Sequence, residues 1–438
     1  MSQRGFPRAS ICVFHVLGLG PIGSLVSHHL CKTLDATKHD IVLIHKNAQQ
    51  LKKANLARNV LKVEREGVVE SSTAFRSEIF EAATQHRYEQ RQAKLHARAT
   101  RKSENKRAAG LKSKEIEVDT AQHTPLPIES LIVALKAYTV VDAVRALLPR
   151  LTPDSTIVLL HNGMGVYERL VHDVFRNPDQ RPHFIVASND HGAWNKDYFH
   201  TIHAGVGSIT FGIVTDPRGR DFEASVAEGE DPEQERSLSL DDIMSPQDDD
   251  STYRPLRNTV AVLSNLTRLN TTWRPISHVE TAMKRKLVVN TVVNPLTALL
   301  GCRNGDLLES EESMKIMKRV CFEAAEAFAR QAQAQQEGGS WSDRANRARI
   351  RSGFSRVSPA LSAHALEEEC LRVIRINAGN TSSMLSDVRS GSYTEIDYMA
   401  GYLMGLGRSF KLPMSTTTTL LNLIKLRTTI PLDRLTYK

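Results

Sequence analysis

Lys286, Asn290 and Asn294 follow one another at intervals of four in the run Lys-Leu-Val-Val-Asn-Thr-Val-Val-Asn-Pro-Leu-Thr-Ala. On a helix this spacing makes one polar stripe that drifts about 40° per step, while Leu287, Val288, Val289, Val292 and Val293 take the other faces. An ammonium and two amides are costly to bury without partners, so the stripe predicts a polar cleft at the seam between two packed units. The competing reading is a lysine that snorkels to solvent above asparagines satisfied inside the fold. A second polar group is Asn380-Thr381-Ser382-Ser383-Met384-Leu385-Ser386-Asp387, followed by Thr394-Glu395-Ile396-Asp397-Tyr398. Small hydroxyls and an amide ahead of a helix offer donors to a carboxylate. Glu395 reads as a catalytic or substrate-binding acid or, equally, as a carboxylate stabilised at a helix N-terminus.

Near the other end of the chain, Gly18-Leu19-Gly20-Pro21-Ile22-Gly23 fits G-x-G-x-x-G directly after the apolar run that starts at Ile11. Between a strand and a helix, such glycines allow a tight turn and close approach of backbone to a pyrophosphate, which the helix N-terminus then stabilises. Alone the motif is weak; in this setting it predicts dinucleotide binding, against a glycine turn needed only for packing. An NAD-preferring fold places an acid at the end of the second strand, where this chain reads His45-Lys46-Asn47. A cation there pairs with a 2′-phosphate, so NADPH is the expected cofactor; otherwise Lys46 is an ordinary surface lysine.

The elements that must position these residues follow in order. A strand, the glycine turn, a helix over residues 24–34 and the run Ile41-Val42-Leu43-Ile44 make the opening βαβ of a doubly wound sheet. Further strands are expected at residues 130–135 and 156–160 and near residues 184–187 and 207–211, with a helix between Thr139 and Leu148. Two biased stretches interrupt them: residues 65–124, rich in Arg, Lys, Glu, Gln and Ala, and residues 216–251, acidic and rich in Ser and Pro. The first predicts a partly helical, solvated or disordered insertion and the second a flexible loop. After a helix at 260–267 and a strand near 269–273, helical periodicity takes over, with segments near 276–300, 312–336, 359–377, 394–410 and 415–427. The fold class expected is an α/β Rossmann-type dinucleotide-binding domain over residues 10–275, followed by an all-α domain over 276–438 for substrate and dimer contact.

Composition sets the bounds. At 438 residues the chain is long enough for two domains, and no apolar run approaches the roughly 20 residues that span a bilayer, so no membrane partner is expected. Ile11 to Leu17 leads straight into the glycine motif, so it reads as a strand and not as the apolar part of a signal peptide. The five cysteines are scattered, with no C-x-x-C pair and no ligand cluster, so no metal is expected and the thiols read as free in a reducing compartment. That points to the cytoplasm, with mitochondria as the alternative. The net charge of +8 raises the question of nucleic acid, but much of it falls within residues 87–114, where a solvated face is the plainer reading.

Six pieces in order across both domains resemble the ketopantoate reductase (2-dehydropantoate 2-reductase) family: GLGPIG at Gly18 to Gly23, LKAY at Leu135 to Tyr138, NGMG at Asn162 to Gly165, the Lys286 helix, RNGD at Arg303 to Asp306, and NTSSML with TEIDY. The resemblance covers about residues 10–60, 130–212 and 255–430 and leaves the biased stretches outside. It implies that Lys286 is the general acid and that Glu395 helps to hold the substrate. It implies further that Asn290, Asn294 and Asn380 line the substrate site, that Ser383 contacts the substrate carboxylate, and that Lys136 and Asn162 lie beside the nicotinamide. Gly18, Gly20, Pro21, Ile22 and Gly23 would cradle the pyrophosphate, and Lys46 stands where the family carries a basic residue for the 2′-phosphate. Thr139, where bacterial members often have glutamine, and His161 ahead of NGMG are departures that remove no essential group.

The implied reaction is NADPH-dependent reduction of 2-dehydropantoate to (R)-pantoate, a step toward pantothenate and coenzyme A. An ammonium in a closed cleft both stabilises developing negative charge and donates a proton, and the valines around Lys286 are expected to exclude water and lower its pKa. A hinge near residue 275 would let the domains close over the substrate. Expected partners are a small-molecule 2-keto acid and a second copy of the chain. The alternatives are a reductase of another 2-keto acid on the same fold, and a non-catalytic binding protein that works through its insertions.

Overall fold

The computed structural model describes residues 12–80, 127–226, 238–245, 251–336 and 358–430. Strand β1 (Cys12–Leu17) passes through the glycine loop into α1 (Pro21–Thr33) and returns as β2 (His39–His45), followed by α2 (Ala48–Leu56). Next come β3 (Leu61–Arg65), β4 (Val68–Ser72), β5 (Arg76–Ile79), β6 (Ser130–Val133), α3 (Ala137–Ala146), β7 (Thr156–Leu159), α4 (Val166–Asp173) and β8 (His183–Asn189). The α/β part ends with β9 (Gly192–Asp197), β10 (His200–Gly205), β11 (Ile209–Ile213), α5 (Leu240–Ile243), α6 (Arg254–Ser264) and β12 (Thr271–Trp273).

Eight strands form one sheet in the order β12-β11-β8-β7-β6-β1-β2-β5, parallel from β8 to β5, with β11 running antiparallel to β8. Every residue of β6 and β7 is buried, as a parallel strand covered on both faces requires. Ile132 and Val158 point to the layer that holds Leu25 and Leu30 of α1 and Val260 of α6, while Leu131, Val133, Ile157 and Leu159 meet Val140 and Val144 of α3 and Leu170 of α4. A second sheet, β4-β3-β10-β9, packs on α1 through Leu61 and Val63.

The expected insertion at 65–124 is corrected over its first part, because residues 65–80 are sheet. Glu66 and Gly67 both take positive φ, 51° and 82°, and turn β3 into β4 as a hairpin turn of primed type. Arg76-Ser77-Glu78-Ile79, which looks like solvated chain by charge, is the edge strand β5 paired in parallel with β2; a sheet edge tolerates charge. Residues 81–124 of that expectation lie outside the described residues. The expected loop at 216–251 is corrected likewise: buried Phe222 and Ile243 anchor it to the core, and Tyr253 Oη donates to buried Asp216 at 2.7 Å. Residues 227–237 and 246–250 lie outside the described residues. The helix expected at 260–267 begins earlier, at Arg254, with Pro255 in its first turn.

From Ile276 onward the described chain is helical: α7 (Ile276–Leu300), α8 (Glu311–Gln336), α9 (Ala363–Ile376), α10 (Ser383–Arg389), α11 (Ala400–Ser409) and α12 (Ser415–Thr429). Helix α7 is the axis, buried at nearly every position from Leu287 to Ala298 and surrounded by α8, α9, α10 and α12. It closes on Gly301, whose φ of +70° lets its N–H reach back to Thr297 O at 2.8 Å. On α8, buried Glu323 accepts from Thr416 N and Thr417 N at 3.0 Å each and so caps α12. The two halves are pinned where Met164 N donates to Tyr398 O at 2.9 Å.

Candidate active site

Gly18 sits at φ +101°, where a Cβ would fall 2.7 Å from the Ala134 backbone, and a Cβ on Gly23 would fall 1.8 Å from Gly18 O. Both positions therefore need glycine for the fold itself. At Gly20 a Cβ would meet nothing within 4 Å, so this glycine faces open space beside the start of α1. That helix has no side-chain cap, and Pro21 begins it, so its first N–H groups point into the same space. Ile22 packs on the core behind the loop. The arrangement fits a dinucleotide pyrophosphate held by backbone.

Lys46 follows β2, next to β1 in the sheet, and is exposed with its side chain unpaired among the described residues; its N–H bonds Gln50 Oε1 at 3.0 Å. His45, just before it, is a buried structural residue whose Nδ1 and Nε2 meet Tyr198 Oη at 2.7 Å and Ser77 Oγ at 2.9 Å. Burial pushes this imidazole down to about 4, so it is neutral.

Lys136 stands at the amino end of α3, and its Nζ lies 2.8 Å from Asp387 Oδ2 and 3.5 Å from Glu395 Oε2. Glu395 is 3% exposed, precedes a short 3-10 turn (Ile396–Tyr398) and not an α-helix, and accepts from Ala137 N at 2.9 Å. It thus ties the helical half to the sheet half. Burial would lower the Lys136 ammonium, but Glu395 and Asp387 outweigh it and raise it, while burial raises the Asp387 carboxyl. Thr139 Oγ1 donates to Lys136 O at 2.8 Å, so this departure from the family pattern braces the lysine's own peptide.

Lys286 lies on the sheet side of α7 with a quarter of its side chain exposed, donating to Asn189 O and lying 3.8 Å from Asp190 Oδ1. Burial pulls its ammonium below the ordinary lysine range, and Asp190 and Glu395 act against that pull. The stripe predicted from spacing is only partly a cleft wall. Asn290 is half-buried, and its amide has no protein partner among the described residues; Asn294 is 6% exposed, with Nδ2 facing Met399 Sδ at 3.8 Å. Asn162, after β7, likewise has an amide without a protein partner among the described residues, next to Gly163, whose close approach to Tyr398 O leaves no room for a Cβ. His161 lies within electrostatic reach of Lys286 and is kept neutral, burial pushing it down to about 4.

On the helical side, Ser382 and not Ser383 caps α10, its Oγ accepting from Leu385 N at 3.1 Å, which leaves the exposed Ser383 hydroxyl unengaged among the described residues. Asn380 is exposed; its amide donates to Asn377 Oδ1 at 3.1 Å and its carbonyl accepts from Asn304 N at 3.0 Å. The structure thus draws Lys136, Glu395 and Lys286 into one electrostatic group. Sequence reasoning missed Asp387, Asn189 and Asp190. Asp387 stood in the segment singled out, four residues beyond Ser383; nothing local marked the other two.

A glycine cradle for a dinucleotide at the carboxyl end of a parallel sheet, together with a half-buried lysine where the helical half meets that sheet, defines a nicotinamide-dependent oxidoreductase. The family model "Ketopantoate reductase PanE/ApbA" matches residues 14–216, and "Ketopantoate reductase PanE/ApbA C terminal" matches residues 278–428. The 2-dehydropantoate 2-reductase of Yersinia pestis is 30% identical over 68% of this chain and 74% of its own. A probable 2-dehydropantoate 2-reductase of Schizosaccharomyces pombe is 22% identical over 94% of this chain and 95% of its own. Among solved structures, D-mandelate dehydrogenase with NADH and anilino(oxo)acetate superposes with a TM-score of 0.60 at 14% identity, covering 97% of this chain and 100% of that one. The chain belongs to the ketopantoate reductase family.

Proposed function

We propose that this protein reduces 2-dehydropantoate to (R)-pantoate with NADPH, and that Lys286 donates the proton. The observation that carries the reading is Lys286 itself: an ammonium lowered by burial at the seam, one helical turn from Asn290, whose amide has no protein partner among the described residues. Residues 10–275 would hold the cofactor and residues 276–438 the substrate. When bound, NADPH supplies the hydride. Gly18, Gly20 and Gly23 let backbone N–H groups approach the pyrophosphate, and Lys46 supplies the cation for a 2′-phosphate. Lys136 and Asn162 border the nicotinamide side, with Glu395 holding Lys136 in place from the helical half.

Reduction of a 2-keto acid needs a proton at the carbonyl oxygen as negative charge develops there, and Lys286 Nζ supplies it while stabilising that charge. Asn290 and Ser383 offer donors to the substrate's oxygens, with Asn294 and Asn380 backing the same wall. All five cysteines are free, which fits a reducing compartment such as the cytoplasm. The test is NADPH oxidation followed at 340 nm, comparing 2-dehydropantoate with a panel of other 2-keto acids, aryl ones included, since anilino(oxo)acetate is bound in a protein of the same fold. Turnover of 2-dehydropantoate above the panel, lost in Lys286→Ala with NADPH binding retained, supports the assignment. Turnover confined to another 2-keto acid replaces the substrate.

A further inference from the structure

We infer that Asp190 is a positioning residue that, together with the Asn189 carbonyl, holds the Lys286 ammonium in place and keeps it charged. The inference rests on reading Lys286 as the acid of the proposed reaction.

The Asn189–Asp190 peptide is built to stay where it is. Asp190 N donates to Ser208 O at 2.9 Å, and Asn189 Oδ1 accepts from His191 N at 3.2 Å. Gly207 presses against it from behind: a Cβ there would fall 2.4 Å from Asp190 C. His191 anchors the next residue. Its Nε2 lies 3.0 Å from Leu269 O, a pure acceptor, so that nitrogen carries the proton, and Nδ1 accepts from Gly207 N and from His203 Nε2 at 3.0 Å each. Burial lowers both imidazoles, which disfavours their charged forms beside the lysine.

The groups that act on Lys286 can be named from each side. Asp190 and His191 come from the β8–β9 junction, His161 from the loop after β7, and Glu395 from the helical half. On its own helix, Arg285 is paired with Glu369 at 2.8 Å. Both histidines are lowered, and Glu395 is shared with Lys136 and the Ala137 N–H. Asp190, 3.8 Å away and also within electrostatic reach of Arg372 on α9, is the acid that the structure pairs directly with Lys286. A desolvated ammonium with no counter-charge loses its proton at lower pH, and a proton donor must keep it until the carbonyl arrives.

The test measures the lysine directly. Competitive labelling with acetic anhydride from pH 6 to 11, read by mass spectrometry at Lys286, reports its ionisation without turnover. In Asp190→Asn the half-point of Lys286 reactivity moves down by about one pH unit, and Asp190→Glu brings it back. The basic limb of kcat moves by the same amount in the same direction. An unchanged labelling curve in Asp190→Asn, in protein with wild-type thermal stability, overturns the inference. A shifted curve with no turnover of any 2-keto acid upholds Asp190 and removes the proposed reaction; turnover with an unshifted curve does the reverse.

Discussion

At the carboxyl ends of β1 and β2 lie three glycines, an uncapped helix start and the exposed Lys46, whose side chain is unpaired among the described residues. At the second surface the charged groups are side chains, and most are already engaged, Lys286 with the Asn189 carbonyl and Asp190, Lys136 with Asp387 and Glu395. The first surface needs only steric permission. The second is a balance of charges contributed by segments far apart in the chain, so removing one member strands another in a partly dry site.

The difference can be broken most forcefully at Lys286. Lys286→Ala lowers kcat by about 10³ while the NADPH Kd stays put, since a proton donor acts in the transition state and not on the cofactor. In the wild type, kcat falls as pH rises through a lysine pKa that burial has lowered, so the loss comes at lower pH than for an ordinary lysine. Next in size is Gly23→Ala, which must displace the Gly18 carbonyl and costs about 3 kcal/mol of stability along with cofactor binding. Gly20→Ala is its control. With open space around it, thermal stability holds while NADPH affinity, measured by fluorescence titration, drops about tenfold. If both variants behave alike, the loop is not the pyrophosphate cradle.

Glu395→Gln comes third. The Ala137 N–H keeps an acceptor but Lys136 loses a charge, and kcat/KM falls by about 2 kcal/mol, roughly thirtyfold, with a lower Tm. An effect on Tm alone would make Glu395 a clasp between the halves and nothing more. The smallest effect belongs to Lys46→Ala: the preference for NADPH over NADH shrinks about tenfold, read from the ratio of kcat/KM values, and stability stays within about 0.5 kcal/mol because the side chain has nothing to lose.

The opening strand, the glycine loop and α7 were legible because their signals are local. Apolar runs set β1, β6 and β7, and an interval of four set the faces of α7. β9 and β10 escaped notice because Trp194-Asn195-Lys196-Asp197 and His200-Thr201-Ile202-His203 carry no strong apolar alternation: β9 is largely exposed, and the buried positions of β10 are the polar Thr201 and His203. β5 was hidden by its charges, acceptable only at a sheet edge.

What the sequence alone determined is the part governed by short-range sterics and periodicity: where the glycine turn joins β1 to α1, which helix carries the lysine, and where α/β gives way to α. Which of the polar residues act together was decided by the tertiary structure. It sent Asn294 inward against Met399, and it turned Glu395 toward Lys136 and the Ala137 N–H. It also brought Asp190, about a hundred residues away in the chain, to within 3.8 Å of Lys286. Charge compensation acts over distance in space and is indifferent to distance along the chain, so no spacing rule records it.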